Sequence, residues 1–372
     1  MVTFGLFALA SISVAIAKPI CSHARRQSGT DPVSTSPIVN FKTEFLGTQV
    51  ASNSCSHRDL GFTGQLGGEW YAVYGDTLWC DAGVTDPDAD PEGFHGIVRN
   101  SISRLGNDVL SVIDLNLNKD SPVPHQNEFI TPDVDFGETS TYPFGVSSIC
   151  EVDNTTATGA IFILVSSETT TFGSGVAKVE VQNGVPTITQ RFGQNGWWWD
   201  AATSPRYGDV TAYRDVNSEY IYLLGGAPNE ATDSSFNNIY QARVPAADAF
   251  DLTKYEYWWG TSAGWKSDLL TQFDDTTAVM FNVGQGQMVY NEHLQQYIFV
   301  HLNPGGPDVL LRTATSPEGP WTPDVKVFTA DPMPGGLTYA GVAHPYLDPT
   351  GQTLTISFTN LNHQQVIKVT FQ

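Results

Sequence analysis

The chain has 372 residues, 12% of them aromatic, with 39 acidic against 18 basic side chains and a formal charge of −21 at pH 7. So acidic a surface repels phosphate backbones, which excludes nucleic acid as a natural partner and makes a neutral glycan easier to accommodate than a polyanion. Beyond the N-terminal leader no segment approaches the roughly 20 apolar residues of a membrane-spanning helix, so no membrane role is expected and the protein reads as a soluble monomer.

The apolar run from Phe4 to Ala17 ends in the small-residue pattern Ala15-x-Ala17. Residues 1–17 therefore read as a signal peptide, and a secreted, extracellular protein is expected. Residues 18–40 carry a dibasic processing site at Arg25-Arg26 and then a stretch rich in Ser, Thr and Pro, a propeptide and disordered approach to a folded domain over 41–372. An exported chain permits disulfides. Cys55 and Cys80 flank the first hairpin and are the preferred pair, with Cys150 a buried small hydrophobe; survival of Cys21 would add a second bridge. Asn154-Thr155-Thr156 is the one N-x-[ST] sequon, a glycosylation acceptor on a turn.

From Phe41 onward short runs rich in Val, Ile, Tyr, Phe and Thr alternate with Gly, Asn, Asp and Pro, which predicts an all-β chain. The first hairpin begins at Asp59, reverses at Gly64, Gly67 and Gly68, and returns along Trp70–Tyr74. Comparable apolar strands follow at Ala160–Val165, Tyr220–Leu224, Tyr297–His301 and Leu354–Phe358, each succeeded by a strand of smaller and more polar residues. Hairpin turns stand before three of them, at Asp153-Asn154, Arg214–Ser218 and Asp348–Gly351. Five such units predict a single five-bladed β-propeller, with a β-sandwich as the alternative.

Gly75-Asp76-Thr77-Leu78-Trp79, Val98-Arg99-Asn100-Ser101-Ile102, the run Arg312–Trp321 with its Ser-Pro-Glu-Gly-Pro-Trp element, and Tyr339 with His344-Pro345 resemble the domain-of-unknown-function 4185 family. That family overlaps glycoside hydrolase family 183, some of whose bacterial members are endo-D-arabinanases. The resemblance implies a five-bladed glycosidase fold. The segments carrying Trp197–Asp200 and Ala246–Thr276 depart from the family pattern, so the resemblance does not carry a substrate with it.

Glycoside hydrolysis commonly needs one protonated and one ionised carboxyl group. Asp59, at the start of the first unit, resembles the catalytic base of five-bladed glycosidases, and Asp76 is the acid of the Gly-Asp-Thr element. Asp209 starts the third unit as Asp59 starts the first and is the supporting catalytic candidate. The structural alternatives are turn aspartates at Asp59 and Asp209 and an amide-bonded carboxylate at Asp76. Candidate substrate contacts are His344, Tyr339, Trp79, Asn100 and Trp198, the last as a loop platform for a sugar ring. Asn100, like Arg99, reads equally as a ladder-locking residue. Asp133, Asp135 and Glu138 are reserves, because Glu69, Glu292 and Glu318 fall on exposed turns and leave no general-acid glutamate. The histidines are scattered without metal-ligand spacing, so no metal or cofactor is expected, although a channel calcium ion needs no local signature. The expected function is secreted hydrolysis of a neutral, furanose-containing, arabinan-like polysaccharide; the rivals are a non-catalytic glycan-binding propeller and a structural or host-interaction protein on the same scaffold.

Overall fold

A computed structural model of the chain describes residues 35–372 apart from 91–94, 122, 141, 168, 232–236 and 304–305. The signal peptide, Cys21 and the dibasic site lie outside the described residues.

Among the described residues there is no α-helix, only short 3-10 turns between strands. Five sheets, antiparallel but for the short parallel pairing of Val50–Ala51 at the rim of blade one, form the propeller blades, and Leu117–Asn118 with His125–Gln126 makes a separate two-stranded ribbon. Blade one runs Ser56–Leu66, Glu69–Trp79, Ser101–Arg104 and Ser111–Asp114 from channel to rim. The innermost strands of the other blades are Phe144–Val146 with Cys150–Asp153, Thr211–Arg214, Gly286–Asn291 and Thr338–Ala343. The five apolar runs read from the sequence are the second strands of the five blades.

These runs are continuously apolar because both faces are covered. In blade two, Ile161, Ile163 and Val165 pack toward blade one, while Ala160 and Phe162 pack toward blade three. Phe162 is fully buried, and truncating it to alanine is expected to cost about 3–5 kcal/mol.

One strand escaped the sequence reading. Phe41–Thr48 pairs with the last strand, Phe41 opposite Phe371, and so completes blade five from the other end of the chain. Ile38, buried just ahead of it, anchors this closure. At the seam, Thr63 Oγ1 of blade one donates to the Ala343 carbonyl of blade five at 2.7 Å, and Gln287 of blade four bonds Thr63 through its carbonyl and hydroxyl at 2.9 Å each. The channel is thereby bridged at the level of Thr63.

The first hairpin turns on Gly67 and Gly68 alone, both at positive φ, with Leu66 opposite Glu69. Gly64 lies within the strand instead, where a side chain would overlap the Ile149 backbone of blade two. Cys55 and Cys80 are bonded as expected, and Cys150 is free and buried.

Candidate active site

Asp59 and Asp76 lie on the first two strands of blade one and face each other across paired irregularities. Arg58 opposes Thr77 and Leu60 opposes Tyr74, so Gly75 and Asp76 together stand opposite Asp59; Gly61 then supplies the compensating extra residue on the first strand. Leu60 and Gly61 both take positive φ, 65° and 83°. Holding a leucine there costs on the order of 1 kcal/mol, a backbone strain of the kind that re-aims side chains at functional sites. Gly75 makes room for the pair, because a Cβ at that position would overlap Oδ1 of Asp59.

The electrostatics are unusual. Asp59 is 5% exposed, its Oδ2 accepts a 2.6 Å hydrogen bond from the Tyr339 hydroxyl of blade five, and its Oδ1 is buried without a partner. Burial, and then the charge of Asp76, push the Asp59 carboxyl up to about 7, with the Tyr339 bond opposing them. Burial also raises Asp76, against the pull of Arg99, whose Nη1 lies 3.6 Å from its Oδ1. Two like charges this close resist ionising together, so the pair tends to hold one proton. The Tyr339 hydroxyl is raised above its ordinary value by burial and by Asp59, which keeps it a hydrogen-bond donor.

The remaining sequence candidates divide clearly. Tyr339 joins the pair. Asp209 occupies the corresponding corner of blade three, but Arg206 Nε donates to its Oδ2 at 2.7 Å and the Gly226 amide to its Oδ1 at 2.9 Å, so it is a satisfied turn aspartate. His344 lies at the other end of its strand. Tyr339 sits level with Asp59 and Ala343 level with Thr63, which puts His344 beneath the channel bridge, buried and bonded to Ser357 Oγ at 2.9 Å. Burial lowers its imidazole to about 3, so it remains neutral there.

Asn100 is fully buried and exchanges two side-chain bonds with the Ile130 backbone, fastening the segment that leaves blade one. Its neighbour Arg99 takes the orienting role at Asp76. Trp79 is stacked on His125 at 4.0 Å, and its other contact is Gly96, where any side chain would overlap the indole. Trp198 packs among Phe192, Trp199 and Tyr255. The tryptophan-rich segments are thus not free loop platforms: Trp199–Asp200 pairs with Gly173 and Ser174 of blade two, Glu256–Trp258 lies between Asn238–Pro245 and Trp265–Lys266 in blade three, and Trp199 Nε1 donates to Tyr257. Among the reserves, Glu138 is buried in a double bond to Arg191, 2.6 Å at each oxygen, and Asp133 caps a 3-10 turn.

Sequence reasoning missed the rim above the pair. His57 Nε2 lies 3.0 Å and His95 Nε2 3.2 Å from opposite oxygens of Asp90. His57, Cys80 and Asp90 have ligating atoms within metal-binding reach, but the Cys80 sulfur is committed to the disulfide and offers no thiolate. Glu128 was also missed: it is half-buried, and one of its oxygens lies 3.5 Å from the Arg99 amide. Neither grouping carries a local sequence signal, since their members come from different strands and loops of blade one and from the segment that leaves it.

Comparison with solved structures agrees with this architecture. A candidate hydrolase from Bacteroides ovatus superposes with a TM-score of 0.61 at 17% identity, covering 88% of this chain and 87% of that one. A GH43_1 enzyme from Xanthomonas citri gives 0.50 at 13% identity over 88% and 90% of the two chains. The exo-β-1,3-galactanase of Phanerochaete chrysosporium with β-1,3-galactotriose gives 0.50 at 13% identity, 88% of this chain covering 64% of that one. Identities this low speak for a shared fold alone. No functionally curated protein matches the sequence. The profile described as Domain of unknown function (DUF4185) matches residues 181–370, just over half of the chain, spanning blades three and four and the three C-terminal strands of blade five. The protein belongs to the DUF4185 family, as the motifs at Gly75–Trp79 and Arg312–Trp321 led us to expect.

Proposed function

We propose that the protein is a secreted glycoside hydrolase acting on a neutral, furanose-containing polysaccharide of the arabinan type. The observation that carries this reading is the Asp59–Asp76 pair: two facing carboxyls, one buried beside a tyrosine and one beside an arginine, at the mouth of a channel bridged below them. Surroundings that favour the proton on one acid and the charge on the other are what acid–base cleavage of a glycosidic bond requires.

The environments assign the roles in the opposite sense from the motif. Asp59, kept protonated by burial, is the acid that gives a proton to the leaving glycosidic oxygen, with Tyr339 holding its carboxyl in place. Asp76, with Arg99 alongside, supplies the ionised carboxylate that activates water or attacks the anomeric carbon. The proton lost by Asp59 is returned when water completes the reaction at the anomeric carbon. Export fits the Cys55–Cys80 disulfide.

Incubation of the mature protein with D-arabinan, L-arabinan, galactofuranan, xylan and fungal wall glycan, followed by mass analysis of released oligosaccharides, tests the reading. Product from a furanose polymer supports it. Binding without product, unchanged in Asp59→Asn, would replace it with the non-catalytic glycan-binding propeller.

A further inference from the structure

A polar hollow lies beside blade one and away from the channel axis. It occupies about 710 Å³ between the segment that leaves blade one and the outermost strand of blade two, Val185–Arg191. Its walls include Glu128, Asn116, Thr131, Gln182, Thr187 and Gln190. Its floor is stiff: Arg191 is held by Glu138 and lies over the rings of Phe136 and Phe144 at 5.0 and 4.9 Å. The strand is seven residues long, which at roughly 3.3 Å per residue gives a trough of about 23 Å.

A row of charged side chains leads into this trough. Across the top of blade one stand Asp59, Asp76, Arg99 and then Glu128; Arg99 reaches Asp76 with its guanidinium and Glu128 with its backbone amide. We propose that the trough is a glycan-binding subsite continuous with the Asp59–Asp76 pair, and that it takes the chain of an extended neutral polysaccharide as it leaves the mouth past Glu128. This rests on the reading of the mouth as a glycan site.

The lining chooses the occupant. Amides and hydroxyls dominate it, the groups that exchange hydrogen bonds with sugar hydroxyls, and Glu128 offers an acceptor at the near end. A polyanion would meet Glu128, Asp133 and the strongly negative chain as a whole. Burial raises the Glu128 carboxyl above its ordinary value, so this acid gains from a hydroxyl partner. A second hollow, about 450 Å³ around Phe45, Phe328 and Met333, sits at the outer edge of blades four and five and has no link to the acid pair.

The test measures binding in Asp59→Asn, so that no probe is consumed. Arabino-, galacto- and xylo-oligosaccharides of two to six residues are titrated calorimetrically against this variant and against the same variant carrying Glu128→Ala or Gln190→Trp, with thermal melts as the folding control. The expected result is affinity at least tenfold tighter for the hexamer than for the dimer of one series. Gln190→Trp should remove that gain and leave dimer binding unchanged. A gain that survives both groove substitutions in folded protein, or no binding by any series, overturns the proposal. Length-dependent binding with no turnover by the native protein sustains the trough and removes the hydrolase reading instead.

Discussion

Blades one and three place an aspartate at the same corner and treat it in opposite ways. Asp59 lies near the start of the innermost strand of blade one, opposite Gly75, and Asp209 lies just ahead of the innermost strand of blade three, where the Gly226 amide of the second strand reaches it. At blade three the glycine amide and Arg206 satisfy the carboxylate. At blade one a second acid stands opposite, the arginine serves Asp76 instead, and one oxygen of Asp59 has no partner. A repeated fold thus supplies a position, while neighbours one strand away decide whether that position is structural or chemical. The uncompensated corner is unfavourable for stability, the kind of local exception that clusters at functional sites and on which the proposed role of Asp59 rests.

The largest contrast should appear in turnover. On whichever polysaccharide the native protein cleaves, Asp59→Asn is expected to lower kcat by about 10²–10⁴-fold, the usual worth of a positioned acid or base, whereas Asp209→Asn should stay within about tenfold of native. Equal losses in the two variants would erase the distinction between the blades.

The glycines give a second contrast. Gly75→Ala drives a methyl group into a buried carboxyl and should cost about 1–3 kcal/mol together with most of the activity. Gly226→Ala meets Nη2 of the Arg206 guanidinium, so the bonds of Arg206 to Asp209 and to the Ala227 carbonyl must loosen, but this group is partly exposed and the variant's melting temperature should fall less. The comparison is read from thermal melts at one pH.

Stability against pH sharpens the difference in sign. The folded protein keeps the Asp59 proton up to about pH 7, while the unfolded chain releases it near about pH 3.9. Ionisation of Asp59 therefore costs stability progressively between those values, and the whole cost, on the order of 4 kcal/mol, is present above pH 7. Asp59→Asn should melt several degrees higher than native at pH 8 and close to native at pH 4. Asp209→Asn should melt lower, by about 1–2 kcal/mol at neutral pH, because it weakens two satisfied bonds. Urea titrations at the two pH values would reverse this assignment if Asp59→Asn proved the less stable variant at pH 8.

The smallest effect concerns Arg99. Removing its charge in Arg99→Gln takes away the group that holds Asp76 down, so the acidic limb of the pH–kcat profile should move to higher pH while the protein remains folded. A profile that stays in place would remove Arg99 from the orientation of Asp76.

Much of the fold was legible because its signals are local. Each second strand is a short apolar run bounded by turn residues, and both faces are buried between blades, so the run reads the same whichever neighbour covers it. Gly67-Gly68 and Asp153-Asn154 mark hairpins by backbone geometry that only a few residue types adopt readily. The closing strand Phe41–Thr48 was not legible, since its partner lies more than 300 residues away. The short strands holding Trp199 and Trp258 were read as loops because two or three residues are too few to show a period.

The site divides along the same line. Asp59, Asp76 and Tyr339 were found because short motifs carry them, yet nothing in those motifs says that Tyr339 reaches Asp59 across the seam. His344 and Asn100 look equally functional in sequence and prove to be buried and satisfied. Glu128 and the His57–Asp90–His95 rim carry no motif at all.

By itself, the sequence determined an all-β propeller of five units, the Cys55–Cys80 bridge and the two acids most apt for glycoside chemistry, because patterning, turn preference and motif act over a few residues. Tertiary structure alone decided that Asp76 stands across from a buried Asp59, that Asp209 is bonded to Arg206 and the Gly226 amide, and that a polar trough lies past Glu128. Those outcomes depend on which charges and hydroxyls meet across strands and blades, and electrostatic energy in a buried site is set by neighbours a few ångströms away in space, whatever their distance along the chain.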